Sequence, residues 1–548
     1  MLCLFLSLFC SLGPASAELA HAAPTVALDY GTFRGKFDGN LSTFLGVPFA
    51  RPVVRFTTPK LPTKLQGIQD VTKFSPACPQ QFLPAPFPLP PFPVPPMSED
   101  CLKLNIFVPT STEPHSKLPV LFWIFGGGFE IGNAPDTEMR PLVERSILNG
   151  EPIIVVTPNY RVSAWGFLAG KEADTAGISN LGLQDQIFAL EWVHRQIAAF
   201  GGDPNRVVIG GPSAGAISAA LLLLPNKRFN PTSLFRGAFL LSGSPPTAST
   251  VADGQPAYNE LVTANNCTEA KDTLECLRRI PFDDFKATVD NTTNLFSFTS
   301  VQNVWRPRVD GNLIIQNPLL SVAQGKTAKV AVITGDADDE GTVFALSSAN
   351  ITTSDEFVGY VQSIFFPKAT PAEIAHLAAL YPNDPTQGSP FDTGLANQLT
   401  PQFKRMAAFQ GDYQFIGARR FLLEHISKRQ NVWSWVTKRA KDTPIIGAAH
   451  GSDVPIWFPT EITNSTDFVP VDALINFINT LDPNHSAGTH RKPAAVFWPR
   501  WNNLISDGSP SLLTLTDPAG INITSENFRV EAIQFLNNLL LKEAEVTA

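Results

Sequence analysis

A wound α/β architecture is the fold class the sequence predicts: one large domain on a mostly parallel, twisted central sheet flanked by helices. Two observations predict it. Short, nearly continuous apolar runs alternate with helix-spaced segments, and no repeat or disordered linker divides the 548 residues. Composition agrees, since 44% hydrophobic and 16% charged residues suit a globular chain with a large core. The net charge of −8, with no basic patch, gives no footing for nucleic-acid binding.

The chain opens with MLCLFLSLFCSLGPASA. This apolar run closed by Ala15-Ser16-Ala17 has the form of a secretory signal peptide over residues 1–17, with cleavage there or a few residues later within AELAHAA. It is short for a membrane anchor, and no later segment is apolar enough to span a bilayer. Four cysteines follow, Cys78, Cys101, Cys267 and Cys276, and four permit three pairings, of which nearest neighbours are the simplest. Seven N-x-[ST] sequons, at Asn40, Asn266, Asn291, Asn350, Asn464, Asn484 and Asn522, suit a glycosylated, extracellular surface. The C-terminal NNLLLKEAEVTA carries neither a retention signal nor a lipid-anchor tail.

Between Cys78 and Cys101 lies PAPFPLPPFPVPP (84–96), a proline-rich segment that reads as a spacer or, if a disulfide closes it, as an apolar lid or pocket wall. The strand candidates come next: LNIFVP (104–109), PVLFWIFGGG (119–128), PIIVVTPNYR (152–161), RVVIGG (206–211), GAFLLSGS (237–244), KVAVITG (329–335) and NVWSWV (431–436). Such runs are expected where strands are buried on both faces. LQDQIFALEWVHRQIAAF (183–200), among others, has the spacing of an amphipathic helix.

Gly211-Pro212-Ser213-Ala214-Gly215 is a weak pattern alone, since small residues crowd together in turns. Its context is specific. RVVIGG before it and AISAALLLLP after it give strand, sharp turn and helix, the setting of a nucleophilic serine. A serine needs a base. His21 falls near the leader, His115 in a polar loop, His194, His376 and His425 in helical patterns, and His485 and His490 in a polar stretch. His450, in GAAHGSD, sits among small residues after a strand and is the candidate base. Its orienting carboxylate is sought in DADDEG, at the end of KVAVITG, where spacing leaves Asp336, Asp338, Asp339 and Glu340 open. The order serine, acid, histidine is that of α/β-hydrolases. Gly126, Gly127 and Gly128 after a strand, with the residue following the nucleophile, Ala214, offer backbone donors for an oxyanion. No phosphate-loop or zinc-ligand spacing occurs, so neither metal nor cofactor is expected.

Taken together, FGGDPNRVVIGGPSAG (200–215) and SEDCLKLNIFVP (98–109) resemble the two signatures of the type-B carboxylesterase/lipase family, which holds cholinesterases and rugosa-type yeast lipases. NYRVSAWGFL, LGLQDQIFALEWV, SGSP and RPRVDG are similar to further blocks, so the resemblance covers residues 25–548. It implies the α/β-hydrolase fold and a Ser-Glu-His triad of Ser213, Glu340 and His450. It further implies oxyanion donors at Gly127, Gly128 and Ala214, disulfides Cys78–Cys101 and Cys267–Cys276, and Ser244 as support for the triad acid.

Two departures are informative. Pro212 stands where many members have glutamate, and no tryptophan occurs between Cys78 and Cys101, where cholinesterases stack a quaternary ammonium. A choline ester is therefore disfavoured, and Phe82, Phe87 and Phe92 make that loop apolar. The expected function is a secreted serine carboxylesterase acting on small-molecule or lipid esters. Alternatives are a lipase or sterol esterase, a feruloyl-type esterase, and a non-enzymatic adhesion or binding module of the same fold. Phe296 and Phe298 are candidates for an acyl pocket or for ordinary core. Acyl length, alcohol preference and oligomeric state are not readable from these residues.

Overall fold

Alternation within the strands decides which side of the sheet each residue feeds. The computed structural model describes residues 22–461, 467–485 and 496–546. The leader, His21, Asn464 and His490 lie outside the described residues. The strands are β1 (Thr25–Leu28), β2 (Gly31–Arg34), β3 (Lys36–Asp38), β4 (Leu41–Pro48), β5 (Ile68–Asp70), β6 (Lys103–Pro109) and β7 (Leu118–Trp123). They continue as β8 (Ile154–Pro158), β9 (Gly202–Pro212), β10 (Gly237–Leu241), β11 (Ala331–Ala337), β12 (Val432–Thr437), β13 (Ser511–Thr516) and β14 (Gly520–Ser525). Strands β1, β2 and β5 form a small separate sheet, and the other 11 form one sheet in the order β14-β13-β12-β11-β10-β9-β7-β8-β6-β4-β3.

The seven strands from β13 to β8 run parallel, while β14 at one edge and β6, β4 and β3 at the other pair antiparallel. LNIFVP is thus a strand, but an antiparallel one. The edge strands β3 and β14 and the small sheet escape the apolar-run criterion because they are short or half solvated, and β13 because Ser511, Thr514 and Thr516 interrupt its apolar run.

Within β7, Val120 and Phe122 face one core, and Leu121 and Trp123 the other; Ala238 and Leu240 of β10 likewise oppose Phe239 and Leu241. Helices Leu181–Gln196 and Ala214–Leu222 cover the first face, and Arg140–Leu148 and Val469–Thr480 the second. The second core is aromatic: Phe239 stacks on Trp435 at 5.3 Å, and Trp435 meets Trp457 at 4.8 Å. Helix Leu181–Gln196, expected to be amphipathic, is buried almost all round. Its buried Asp185 forms a bidentate pair with Arg161 at 2.7 Å for each contact, while Glu191, His194 and Arg195 keep one narrow face towards solvent.

Both cysteine pairs are joined, Cys78 to Cys101 and Cys267 to Cys276, with sulfurs at 2.03 and 2.04 Å. Among the described residues, no helix is long and apolar enough to cross a membrane.

Behind β11, a fully buried Arg419 donates to Asp336 Oδ2 at 2.6 Å, to Glu526 Oε1 at 2.7 Å and to Ser434 Oγ at 2.7 Å. Removing one member of such a cluster leaves uncompensated charge in the interior. Arg419→Met is expected to cost about 3–5 kcal/mol, read as a lower midpoint in urea unfolding followed by tryptophan fluorescence; an unchanged midpoint would refute the assignment.

Candidate active site

Strand β9 ends at Pro212 and a helix starts at Ala214, leaving Ser213 to make the turn alone at φ 54° and ψ −123°. A non-glycine residue there stores strain on the order of 1–3 kcal/mol. The surroundings hold it. Ser213 N–H donates to Leu241 O of β10 at 2.8 Å. A Cβ on Gly211 or Gly215 would lie 2.2 or 2.0 Å from Ile124 O, so only glycine lets the turn press against the backbone leaving β7. The Ser213 hydroxyl lines a cavity and, among the described residues, has no hydrogen-bond partner. It stands at the N-terminus of helix Ala214–Leu222, where free N–H groups favour negative charge.

The glycine turn after β7 faces that hydroxyl. Gly127 has φ +107°, and its carbonyl accepts from Glu130 N–H at 3.0 Å and Ile131 N–H at 3.1 Å. Because a trans peptide points its N–H away from its C=O, this pins the Gly128 N–H outward. Asn303 Nδ2 donates to Gly128 O at 2.7 Å and to Glu130 Oε1 at 3.1 Å, while Glu130 Oε2 accepts from Leu295 N–H at 2.8 Å. Burial pushes Glu130 up to about 8. A neutral carboxyl beneath the turn does not oppose negative charge developing at the turn's N–H groups.

On the far side of Ser213, the His450 ring lies between Phe344 and Phe415, with centroids 5.1 and 4.5 Å away, and both phenyl groups line the Ser213 cavity. His450 Nδ1 is 2.5 Å from Glu340 Oε2. That bond assigns Nδ1 as the protonated nitrogen and leaves Nε2 as the one free to take a proton. The Ser213–His450 hydrogen bond is not closed here, and such contacts commonly tighten only with substrate bound. Burial lowers the His450 pKa, but the charge and hydrogen bond of Glu340 more than offset this, leaving it above the ordinary histidine value. Burial and the charge of Glu340 push the neighbouring Asp453 up to about 8, so a second carboxylate does not compete for the imidazole near neutral pH.

The four acids of DADDEG separate by direction. Asp336 turns to Arg419, and Asp338 to Lys441 at 2.5 Å. Asp339 accepts from Lys441 Nζ and Ala448 N–H, both at 2.8 Å, and so holds the loop that carries His450. Glu340 alone meets the imidazole; its other oxygen accepts from Ala337 N–H and Ser242 Oγ, both at 2.6 Å. The expectation for Ser244 is therefore corrected. Ser242, directly after β10, supports the acid, whereas the buried Ser244 hydroxyl has no partner. Ser242 was legible as the residue ending a central strand beside β11. Glu130, Asn303 and the Asp339 clamp had no sequence signal, because their partners lie over a hundred residues away.

Of the other histidines, His115 and His485 pair with Glu113 and Asp482 in exposed loops, and His376 and His425 pack on Phe535 and Phe421. Neither Phe296 nor Phe298 lines the Ser213 cavity; Leu295 and Val301 do. Phe296 instead stacks on Phe92 of the proline-rich loop at 5.4 Å, and that loop lines a separate cavity with Phe82, Val94 and Ile131.

A sequence model of the carboxylesterase family matches residues 22–532. Secreted lipase 1 of Botryotinia fuckeliana is 38% identical, covering 95% of this chain and 94% of that protein. Lipase 4 of Diutina rugosa is also 38% identical, covering 93% and 94%. The crystal structure of Aspergillus niger EstA superimposes with a TM-score of 0.80 at 27% identity, covering 95% of this chain and 99% of that one.

The two serines after β10 give opposite expectations. Ser242→Ala removes a hydrogen bond to a charged group, worth about 1.5–3 kcal/mol, and should lower kcat roughly tenfold or more by that principle. Ser244→Ala should leave kcat near the parent value. Equal effects in a p-nitrophenyl butyrate assay would reinstate Ser244.

Proposed function

Since the chain belongs to the carboxylesterase family and is a carboxylic ester hydrolase of α/β-hydrolase fold, we propose that Ser213, His450 and Glu340 carry the reaction, with Gly127, Gly128 and Ala214 N–H groups binding the oxyanion. What supports this reading is a strained serine with an uncommitted hydroxyl, together with a glutamate-bonded imidazole packed on Phe344 and Phe415, two residues that line the Ser213 cavity.

Ser213 Oγ adds to the ester carbonyl as His450 Nε2 takes its proton, and Glu340 stabilises the resulting imidazolium. The carbonyl oxygen gains negative charge and is met by the three backbone donors, each typically worth about 3 kcal/mol to the transition state. The C–O bond then breaks, the alcohol leaves with the proton from His450, and an acyl group remains on Ser213. Water repeats the sequence and frees the acid.

The substrate is an ester with an apolar acyl part. Phe344, Phe415, Ile217 and Leu221 line the cavity, an apolar surface suited to an acyl chain. A lipase reading is favoured by one further observation: the proline-rich loop exposes Phe87 at 76% and Val94 at 67%, an apolar surface suited to a lipid interface, and the two sequence relatives are named lipases. The leader acts as a signal peptide and the protein works outside the cell. Exposed Asn40, Asn266, Asn291, Asn350 and Asn522 are the glycan carriers; Asn484 is not, because its Nδ2 already donates to Asp482 Oδ1 and Trp498 O.

Ser213→Ala should reduce p-nitrophenyl butyrate turnover to near background with an unchanged circular dichroism spectrum, and activity near the parent level would remove Ser213 from its role. With the His450 pKa raised, the base form is lost at higher pH than for a free histidine. The acid limb of kcat/KM should therefore fall above pH of about 6.5, and a rate flat between pH 5 and 8 with chemistry limiting would count against His450. Across esters of increasing acyl length, saturation without a jump at the solubility limit supports the carboxylesterase reading; a jump supports the lipase.

A further inference from the structure

The cavity that Ser213 opens into is mostly apolar, with neutral polar side chains at Thr247, Asn303, Tyr413 and Gln414 and one charged side chain, Arg306. Ser213, Ile217 and Leu221, four residues apart, line one flank of helix Ala214–Leu222, a run of about 12 Å at helical rise. Beside that flank the segment after β10 meets the segment holding Arg306: Thr250 and Val309 form a parallel bridge, and Val309 N–H donates to Ser249 O at 2.9 Å. Thr247 from the first segment and Arg306 from the second both line the cavity.

Arg306 is half-buried, and among the described residues its guanidinium has no ion pair and no hydrogen bond; its Nε is sealed from solvent without a partner. Arg308, two residues on, also has an unpartnered Nε, but its terminal nitrogens Nη1 and Nη2 donate to Ser249 Oγ and Val304 O, which those of Arg306 do not. No carboxylate lines the cavity. Burial depresses the Arg306 pKa, and Tyr413 and then the exposed Asp253 only partly counter it. A cation in an apolar cavity with no counter-charge is costly unless a ligand supplies one.

We propose that Arg306 binds a carboxylate at the far end of the acyl chain, so that half-esters of dicarboxylic acids are preferred substrates of this site. In this proposal the acyl part, not the alcohol, occupies the cavity. This rests on the serine-hydrolase reading above. The reaction is ordinary hydrolysis: the ester C–O bond breaks, water supplies the new acid oxygen, and the products are the free dicarboxylic acid and the alcohol.

The test compares monomethyl esters of dicarboxylic acids, from succinate to dodecanedioate, with methyl esters of the corresponding monocarboxylic acids, followed by proton release at constant pH. In the parent enzyme at least one half-ester should exceed its neutral counterpart in kcat/KM by about tenfold, the scale of a charge-assisted hydrogen bond. Arg306→Leu and Arg306→Gln should abolish that preference while keeping or raising turnover of the neutral esters, which also reports that the variants fold. No preference in the parent, or the same preference in both variants, would overturn the role of Arg306 while leaving the hydrolase intact. Loss of turnover on every ester, with Ser213 unlabelled by a fluorophosphonate, would overturn the hydrolase reading and this proposal together.

Discussion

The constraint on which the candidate site depends is a backbone contact. Ile124 O lies where a side chain on Gly211 or Gly215 would begin, so β9 and the helix after it can approach the end of β7 only because both positions lack a Cβ. That approach forces Ser213 into its left-handed turn and brings the glycine turn of Gly126–Gly128 to the serine's side. Strain at 213 is sustained by packing on both faces of the sheet rather than by local preference, which is why a strained serine can persist in a stable chain.

Electrostatics around the site follow from the same crowding. Five carboxyl groups, Asp336, Asp338, Asp339, Glu340 and Asp453, are buried within the β11 and His450 loops. Each is handled differently: Arg419 and Lys441 take three, burial pushes Asp453 towards its neutral form, and Glu340 is left for the imidazole. Glu130 repeats the device under the glycine turn. Around Ser213, negative charge is either paired or suppressed, which leaves the backbone N–H groups unopposed.

Against that background Arg306 stands out. Arg161 and Arg419 spend their donors on the protein itself and Arg308 its two terminal nitrogens, whereas Arg306 lines the cavity with no donor spent among the described residues. The proline-rich loop contributes indirectly, by stacking Phe92 on Phe296 next to Leu295, which lines the same cavity.

Local pattern alone determined the central strands, the strand-turn-helix at Ser213, the glycine turn and the singular surroundings of His450, because each depends on residues adjacent in the chain. The likeness to known signatures, not spacing, separated Glu340 from its aspartate neighbours. Tertiary structure decided the rest. It placed Ser242 rather than Ser244 on Glu340, buried the helix read as amphipathic, set Phe296 and Phe298 outside the cavity, and exposed the network of Glu130 with Asn303. The physical reason is common to all of these. Hydrogen-bond partners and burial are properties of neighbours in space, and here those neighbours come from strands and loops 98 to 173 residues apart.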